Sequence, residues 1–324
     1  MEYRLLGNTG VQVSKLCLGT MSFGGDADEE TSAAMFHCCR EAGINFFDCA
    51  NTYAGGRSEE ILGRLIADCR NEVIITSKVY GPMDKDINAR GTSRRHIMAA
   101  IEASLRRLRT DHIDIYFLHA FDQNTPLPES LRALDDLVRQ GKILYPAASN
   151  FAAWQVMKAL GISAKEGWAR FECIQPMYNL VKRQAEVELL PMALSERLGV
   201  ITYSPLGGGL LTGKYGPGRR PESGRLVDDA RYRARYRADW IFQVAQDFSD
   251  LARNLGYEPA ALAVAWVGSH PAVTAPIIGA RNLAQLEGSL KSLEINMTPE
   301  LRAQVSALSP EPPPATDRSE GRTG

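Results

Sequence analysis

No Cys-x-x-Cys pair and no metal-ligand rhythm occur among the six cysteines, which stand at 17, 38, 39, 49, 69 and 173. Disulfide staples and a bound metal are therefore not expected, and reduced, largely buried thiols are. Histidine is scarce, at five residues, which leaves little for a barrel hydrolase that draws metal ligands from several strands. The longest apolar run, Ala260 to Val267, falls far short of the roughly 20 residues of a membrane span. The opening Met1-Glu2-Tyr3-Arg4 lacks the apolar core of a secretory leader, so a cytoplasmic protein is expected. Formal net charge is only −1, so no global field favours nucleic acid or an anionic membrane. A Gly-x-Gly-x-x-Gly fingerprint is missing after the first barrel strand, which reads Leu18-Gly19-Thr20-Met21-Ser22-Phe23-Gly24-Gly25. That argues against an open dinucleotide-binding sheet.

What is present is core-forming material in an alternating order. Hydrophobic residues make up 44% of 324, enough for one large barrel or two ordinary domains. Residues 3–14 predict a hairpin around Gly7-Asn8-Thr9-Gly10. Eight short apolar runs follow: Leu16–Gly19, Ile44–Asp48, Val73–Lys78, Ile113–His119, Ile143–Ala148, Phe171–Gln175, Val200–Tyr203 and Thr274–Ile278. Helical patterns separate them, among them Thr31–Ala42, Ser58–Ala67, Arg94–Leu108, Leu127–Gln140, Ala152–Leu160 and Val187–Leu198. Parallel neighbours need such crossovers, so the expected fold is a (β/α)8 TIM barrel. Leu283–Leu293 and Pro299–Leu308 predict closing helices. Residues 1–308 are thus expected to form one domain, and 309–324, with no apolar periodicity, a disordered tail.

Four polar residues end, or closely follow, three of these runs: Asp48, Tyr53, Lys78 and His119. Each has an ordinary alternative role. A strand-end Asp often forms a turn, and an isolated Lys or loop Tyr usually serves the surface. Their placement on one predicted rim, where barrel enzymes build their sites, favours a joint role. Reduction of a carbonyl needs a proton at oxygen. Tyr53 holds one with an ordinary pKa of about 10, a lysine ammonium nearby stabilises its phenolate, Asp48 can anchor Lys78, and His119 can orient the carbonyl oxygen.

The segments Phe47-Asp48-Cys49-Ala50-Asn51-Thr52-Tyr53 and Gly56-Arg57-Ser58-Glu59-Glu60-Ile61-Leu62-Gly63 resemble a signature of the aldo-keto reductase superfamily. Ile74–Val79 and Asp114–His119 are similar to its lysine and histidine strands, and the resemblance covers nearly the whole chain. It implies a catalytic tetrad of Asp48, Tyr53, Lys78 and His119, and NADPH as cofactor, laid across the barrel without a Rossmann motif. It further implies that Gly19, Thr20, Met21 and Asp48 border the cofactor, that Ser149, Asn150 and Gln175 hold its carboxamide, and that Tyr203 stacks on the nicotinamide. Ser204, Pro205, Leu206 and Gly208 would lead the chain along the pyrophosphate with Lys214 or Arg225. Gly279, Arg281, Gln285 and Ser289 would hold the adenosine phosphate, Arg281 gripping a 2′-phosphate with its planar fork. Tyr53, His119, Phe23 and Phe121 are the expected substrate contacts, with Met21 and Tyr178 as further candidates.

The chain departs from the family pattern in three places. Pro146 lies inside the fifth strand and removes a ladder donor, Gly288 and Ser289 replace the usual adenine-binding acid and asparagine, and Ala120 follows His119. In the long 207–240 excursion, Arg231, Arg233, Arg235 and Arg237 are scattered at steps of two, whereas Tyr232, Tyr236 and Trp240 make a step-of-four stripe expected to pack on the barrel as a cofactor-covering flap. A small carbonyl substrate is the expected partner, nucleic acid is not, and the oligomeric state is left open. The alternative is an NADPH-binding regulatory subunit resembling potassium-channel β-subunits, with slow turnover.

Overall fold

The structure is a computed structural model, and it describes residues 1–316. Strands β1 (Tyr3–Leu5) and β2 (Gln12–Ser14) form the expected antiparallel hairpin. Eight further strands close into a barrel whose every neighbour pair is parallel: β3 (Cys17–Gly19), β4 (Phe46–Asp48), β5 (Ile74–Val79), β6 (Ile113–Leu118), β7 (Ile143–Ser149), β8 (Cys173–Gln175), β9 (Gly199–Thr202) and β10 (Ala275–Ile278). The chain is therefore a (β/α)8 TIM barrel with helices between the strands.

Alternation along each strand sorts side chains into two cores. Cys17, Phe46, Ile115, Phe117, Ala147, Cys173, Ile201 and Ala275 fill the barrel interior. Leu18, Phe47, Ile75, Tyr116, Ala148, Ile174 and Val200 point outward into the layer beneath the helices. The hairpin plugs the N-terminal mouth, since Leu6 and Val13 join the interior cluster. Its turn sits so close to the start of β9 that a Cβ on Gly7 would lie 2.4 Å from the Gly199 nitrogen. The opposite, C-terminal mouth is left for polar groups.

The helix Arg94–Leu108 forms at its expected bounds, N-capped by Ser93, whose side chain accepts from the His96 amide. Two differences stand out. Trp240–Asn254 and Pro259–Gly268 are helices that add an outer layer after the excursion. The aromatic stripe also breaks: a short helix Ala230–Arg235 ends before Tyr236, and a new one starts at Trp240. Tyr236 is buried and Tyr232 half-buried, but Trp240 is 44% exposed, because the interruption at Arg237–Asp239 rotates it out of the shared face. Pro146 is accommodated inside β7, where its carbonyl accepts from the Glu172 amide at 2.9 Å. Of the expected tail, Ser309 is buried, and its carbonyl accepts from Arg183 Nη1 at 3.3 Å. The stretch 317–324 lies outside the described residues. Among the described residues no helix is long and apolar enough to cross a membrane.

Candidate active site

The parity that packs the interior also delivers polar residues to its C-terminal end. Gly19 pairs with Asp48, Lys78 with Phe117, and Ser149 with Gln175. His119 directly follows β6, its amide bonded to the Val79 carbonyl at 3.0 Å. Tyr53 opens the turn Tyr53–Gly56, which needs positive φ at Ala54 (48°), Gly55 (65°) and Gly56 (99°). Two glycines make that tight turn accessible.

Lys78 is fully buried and each of its donors is used. Nζ donates to Asp48 Oδ1 and Oδ2 at 2.8 and 2.7 Å, to the Cys49 carbonyl at 2.6 Å, and to the Tyr53 hydroxyl at 3.3 Å. Asp48 Oδ1 also accepts from Thr76 Oγ1 at 2.7 Å and from Gln175 Nε2, on the far side of the barrel, at 2.8 Å. Burial opposes charge on Lys78, but the Asp48 carboxylate and then the Tyr53 oxygen outweigh it, so its pKa lies above the ordinary value. Lysine is thus held as an ammonium.

Burial pushes the Tyr53 phenol up to about 12, against the downward pull of Lys78. The expected acidifying effect of Lys78 exists, but burial exceeds it in sign and size. The His119 ring stands edge-on to Tyr53, with centroids 6.2 Å apart. Burial, and then the Lys78 charge, push its pKa down to about 4, so the imidazole is neutral near pH 7 and donates through one nitrogen.

Around this centre runs a second set of bonds. Ser149 Oγ donates to the Gln175 carbonyl at 3.0 Å, and Asn150 Nδ2 donates to the His119 carbonyl at 2.9 Å and to Ser149 Oγ at 3.0 Å. Tyr203 Oη donates to Asn150 Oδ1 at 2.7 Å. Asn150 (φ 57°) and Ser204 (φ 58°) adopt left-handed backbone, re-aiming the chain as it leaves β7 and β9. Tyr203, Asn150 and Gln175 also line an apolar cavity of about 220 Å³, together with Phe151, Ile174 and Met177.

Several other anticipated residues lie apart from this cluster. Lys214 is exposed, and Arg225 is half-buried over the Tyr232 ring at 5.7 Å. Arg281 Nε pairs with Asp26 at 3.0 Å, and its amide donates to Gln285 Oε1 at 3.1 Å. Met21 is 41% exposed at the rim. Thr20, by contrast, adjoins the cluster but is inaccessible, its hydroxyl bonded to the Asp48 carbonyl and to Ser58. Ser289 is also buried, with Oγ directed at the Gln285 carbonyl. Phe23 packs in the outer core with no accessible surface, so it presents no face to a substrate. Tyr178 is likewise enclosed, donating to Glu186 at 2.6 Å. Phe121 is half-buried between Phe151 and the exposed Trp154.

Sequence reasoning missed supporting groups. Thr76 stands two residues before Lys78, so strand parity alone places both on one face. Glu59, fully buried, accepts from Ser77 Oγ at 2.5 Å and from Arg107 Nε at 2.7 Å. It joins the helix after the Tyr53 turn to the lysine strand. Arg107 lies 48 residues away, and no local pattern announces the pair.

A phenol, an ammonium and a carboxylate thus meet at the C-terminal mouth of a parallel barrel. The sequence profile of the Aldo/keto reductase family matches residues 15–310. The uncharacterized oxidoreductase YrpG of Bacillus subtilis is 40% identical, covering 96% of this chain and 97% of its own. A probable voltage-gated potassium channel subunit beta of Arabidopsis thaliana is 34% identical (91% and 92% covered). The versiconal hemiacetal acetate reductase of Aspergillus parasiticus is 32% identical (93% and 94% covered). The chain belongs to the aldo/keto reductase family, oxidoreductases acting on carbonyl and alcohol groups, which generally use nicotinamide cofactors.

Proposed function

We propose that this chain, as a single barrel domain over residues 1–308, reduces an aldehyde or ketone reversibly with NADPH, Tyr53 being the proton donor. The observation that carries this reading is the Lys78 ammonium bonded at once to Asp48 and to the Tyr53 hydroxyl. The residues present suit a dinucleotide. After β9 the chain turns through Gly207, Gly208 and Gly209, all at positive φ, and a Cβ on Gly209 would meet nothing within 4 Å. Such a bare backbone at Gly209 admits close approach of a phosphate. A bound nicotinamide supplies hydride to the carbonyl carbon.

The rest falls to side chains of this chain. Neutral His119 orients the carbonyl oxygen by donating a hydrogen bond. Tyr53 gives its proton to that oxygen as negative charge grows there, and Lys78 stabilises the phenolate left behind. Asp48 holds Lys78 charged and in place. Ser149, Asn150 and Gln175 are suited to fix a carboxamide, and Gln175 ties that end of the site to Asp48. Arg281, with a planar fork that matches phosphate, supports a preference for NADPH over NADH. The reducing-compartment cysteine pattern supports a cytoplasmic location.

The relatives named as probable potassium-channel subunits support the alternative, a nicotinamide-binding partner protein with slow turnover. A panel of aldehydes and ketones, followed by NADPH consumption in wild type and Tyr53→Phe, separates the two. Turnover reduced about 10²–10⁴-fold in the variant is expected. Undiminished turnover would remove Tyr53 as the acid, and tight NADPH binding without turnover on any carbonyl would favour the partner reading.

A further inference from the structure

Of the three cations assigned above to phosphate, Arg281 already faces an acid. Its Nε lies 3.0 Å from Asp26 Oδ2, whereas among the described residues Lys214 and Arg225 pair with no carboxylate. The Arg281 pair joins two different loops. Asp26 lies between β3 and the helix Glu29–Glu41, and Arg281 lies between β10 and the helix Leu283–Leu290. Both loops leave the C-terminal mouth of the barrel, and an enclosed contact sutures them. Ser22 Oγ donates to the Ala280 carbonyl at 2.6 Å, and both residues are buried.

Each partner is carried by bonded backbone. The Gly25 and Ala27 amides both donate to the Ser22 carbonyl, at 3.1 and 2.9 Å, and the Gly24 amide donates to the Ala27 carbonyl at 2.8 Å. Asp26 sits between two of these donors. The nearby Asp28 is committed elsewhere, capping Glu29–Glu41 by accepting from the Thr31 amide at 2.8 Å. Across the rim, the Arg281 amide donates to Gln285 Oε1 at 3.1 Å, and Asn282 Oδ1 accepts from the Gln285 amide at 3.0 Å. The approach to this loop from the mouth is open. A Cβ on Gly279 would meet only the Gly19 carbonyl, at 3.8 Å, and Gly19 is the strand partner of Asp48.

The backbone is fixed, but the ion pair itself is suited to exchange. Its side chains are 33% and 50% exposed, so solvent screens the attraction, and holding it costs side-chain freedom. Asp26 faces the Nε edge of the guanidinium, and among the described residues Nη1 and Nη2 donate no hydrogen bond. A phosphate can take two parallel bonds from such a fork, a stronger arrangement than one contact with a carboxylate. A carboxylate beside the same guanidinium nevertheless repels an arriving phosphate and cancels part of the attraction of Arg281.

We propose that Asp26 is a displaceable counter-ion of Arg281, and that it limits how strongly this chain prefers NADPH to NADH. This rests on the reductase reading above, in which Arg281 meets a 2′-phosphate. NADH carries a neutral hydroxyl there and gains nothing from a freed guanidinium. Calorimetric titrations with NADPH, NADH and 2′,5′-ADP test this without turnover. Asp26→Asn should bind NADPH and 2′,5′-ADP about fivefold more tightly, the worth of one exposed ion pair, and should bind NADH as wild type does. Asp26→Glu, which keeps the charge, should stay near wild type for all three. In an Arg281→Ala background, Asp26→Asn should lose most of its effect. Glu30→Gln, which removes an exposed acid from the same stretch, should alter no affinity. NADPH affinity that is unchanged or weaker in Asp26→Asn overturns the proposal. So does an equal gain for NADH, which would mark a general effect of charge. Arg281→Ala that weakens NADPH and NADH alike would take the 2′-phosphate from Arg281, and the proposal with it. Wild type that binds neither dinucleotide would sink the reductase reading itself, whereas the first two results leave that reading standing.

Discussion

Asp48→Asn removes one charge from the most enclosed ion pair of the site. The Lys78 and Asp48 side chains are 0% and 3% exposed, so water cannot replace the lost partner. Asn is close in shape and can still accept from Thr76, but its amide nitrogen would face an ammonium. Breaking a buried pair in this way costs about 3–5 kcal/mol. An unfolding entropy of about 2.1 cal/mol/K per residue over 324 residues is roughly 0.7 kcal/mol/K, so the melting temperature should fall by about 4–7 °C.

The pH dependence of that loss is more diagnostic than its size. In wild type the Lys78 pKa is raised, so its contribution is complete below the ordinary lysine value of about 10.4 and is lost only as pH rises through the higher folded value. Without Asp48, burial becomes the leading influence and the folded pKa drops below the unfolded one. The fold then prefers neutral lysine, and stability should recover as pH rises from about 7 towards 10. Thermal melts across that range are the assay. A variant that melts within 1 °C of wild type at pH 7, or whose deficit does not shrink with rising pH, would refute the account of Lys78 as a charge held by Asp48.

Three further outcomes follow from the same geometry. His119, neutral because burial and then Lys78 push its pKa down to about 4, should add no ionisation near pH 6.5 to the kcat/KM profile. Its folded pKa is depressed, so its contribution to stability is present above about 6.5 and is lost as pH falls towards 4; an NMR titration placing the imidazole near 6.5 would contradict this. Arg281→Ala should raise the KM for NADPH about tenfold and hardly alter that for NADH, and equal effects on both would remove its role at a 2′-phosphate. Glu59→Gln leaves Arg107 beside a neutral amide and should cost roughly 3 kcal/mol in denaturant melts, whereas Ser77→Ala, which spares the ion pair, should cost about 1 kcal/mol.

Much of the fold was legible because parallel barrels repeat a strong local code. Each of the eight apolar runs overlaps a barrel strand, and Arg94–Leu108 formed at its expected bounds because Ser93 caps it. The flap was less legible. Tyr232, Tyr236 and Trp240 keep helical spacing, but a helix break between the second and third turns Trp240 to solvent. Phe23 illustrates the same limit, since a loop aromatic can face a substrate or fill a core, and only the surrounding packing decides.

By itself the sequence determined the alternation, the polarity of the strand ends, and hence that Asp48, Lys78 and His119 share one rim. Those are short-range properties, carried by period-two patterning and by residues a few positions apart. The tertiary structure decided what spans the barrel: the Gln175 bond to Asp48, the Glu59–Arg107 brace, and burial strong enough to hold the Tyr53 phenol at about 12 despite Lys78. Closure brings together Asp48 and Gln175, 127 residues apart, and desolvation depends on everything packed around a group. Neither can be read from a residue and its near neighbours.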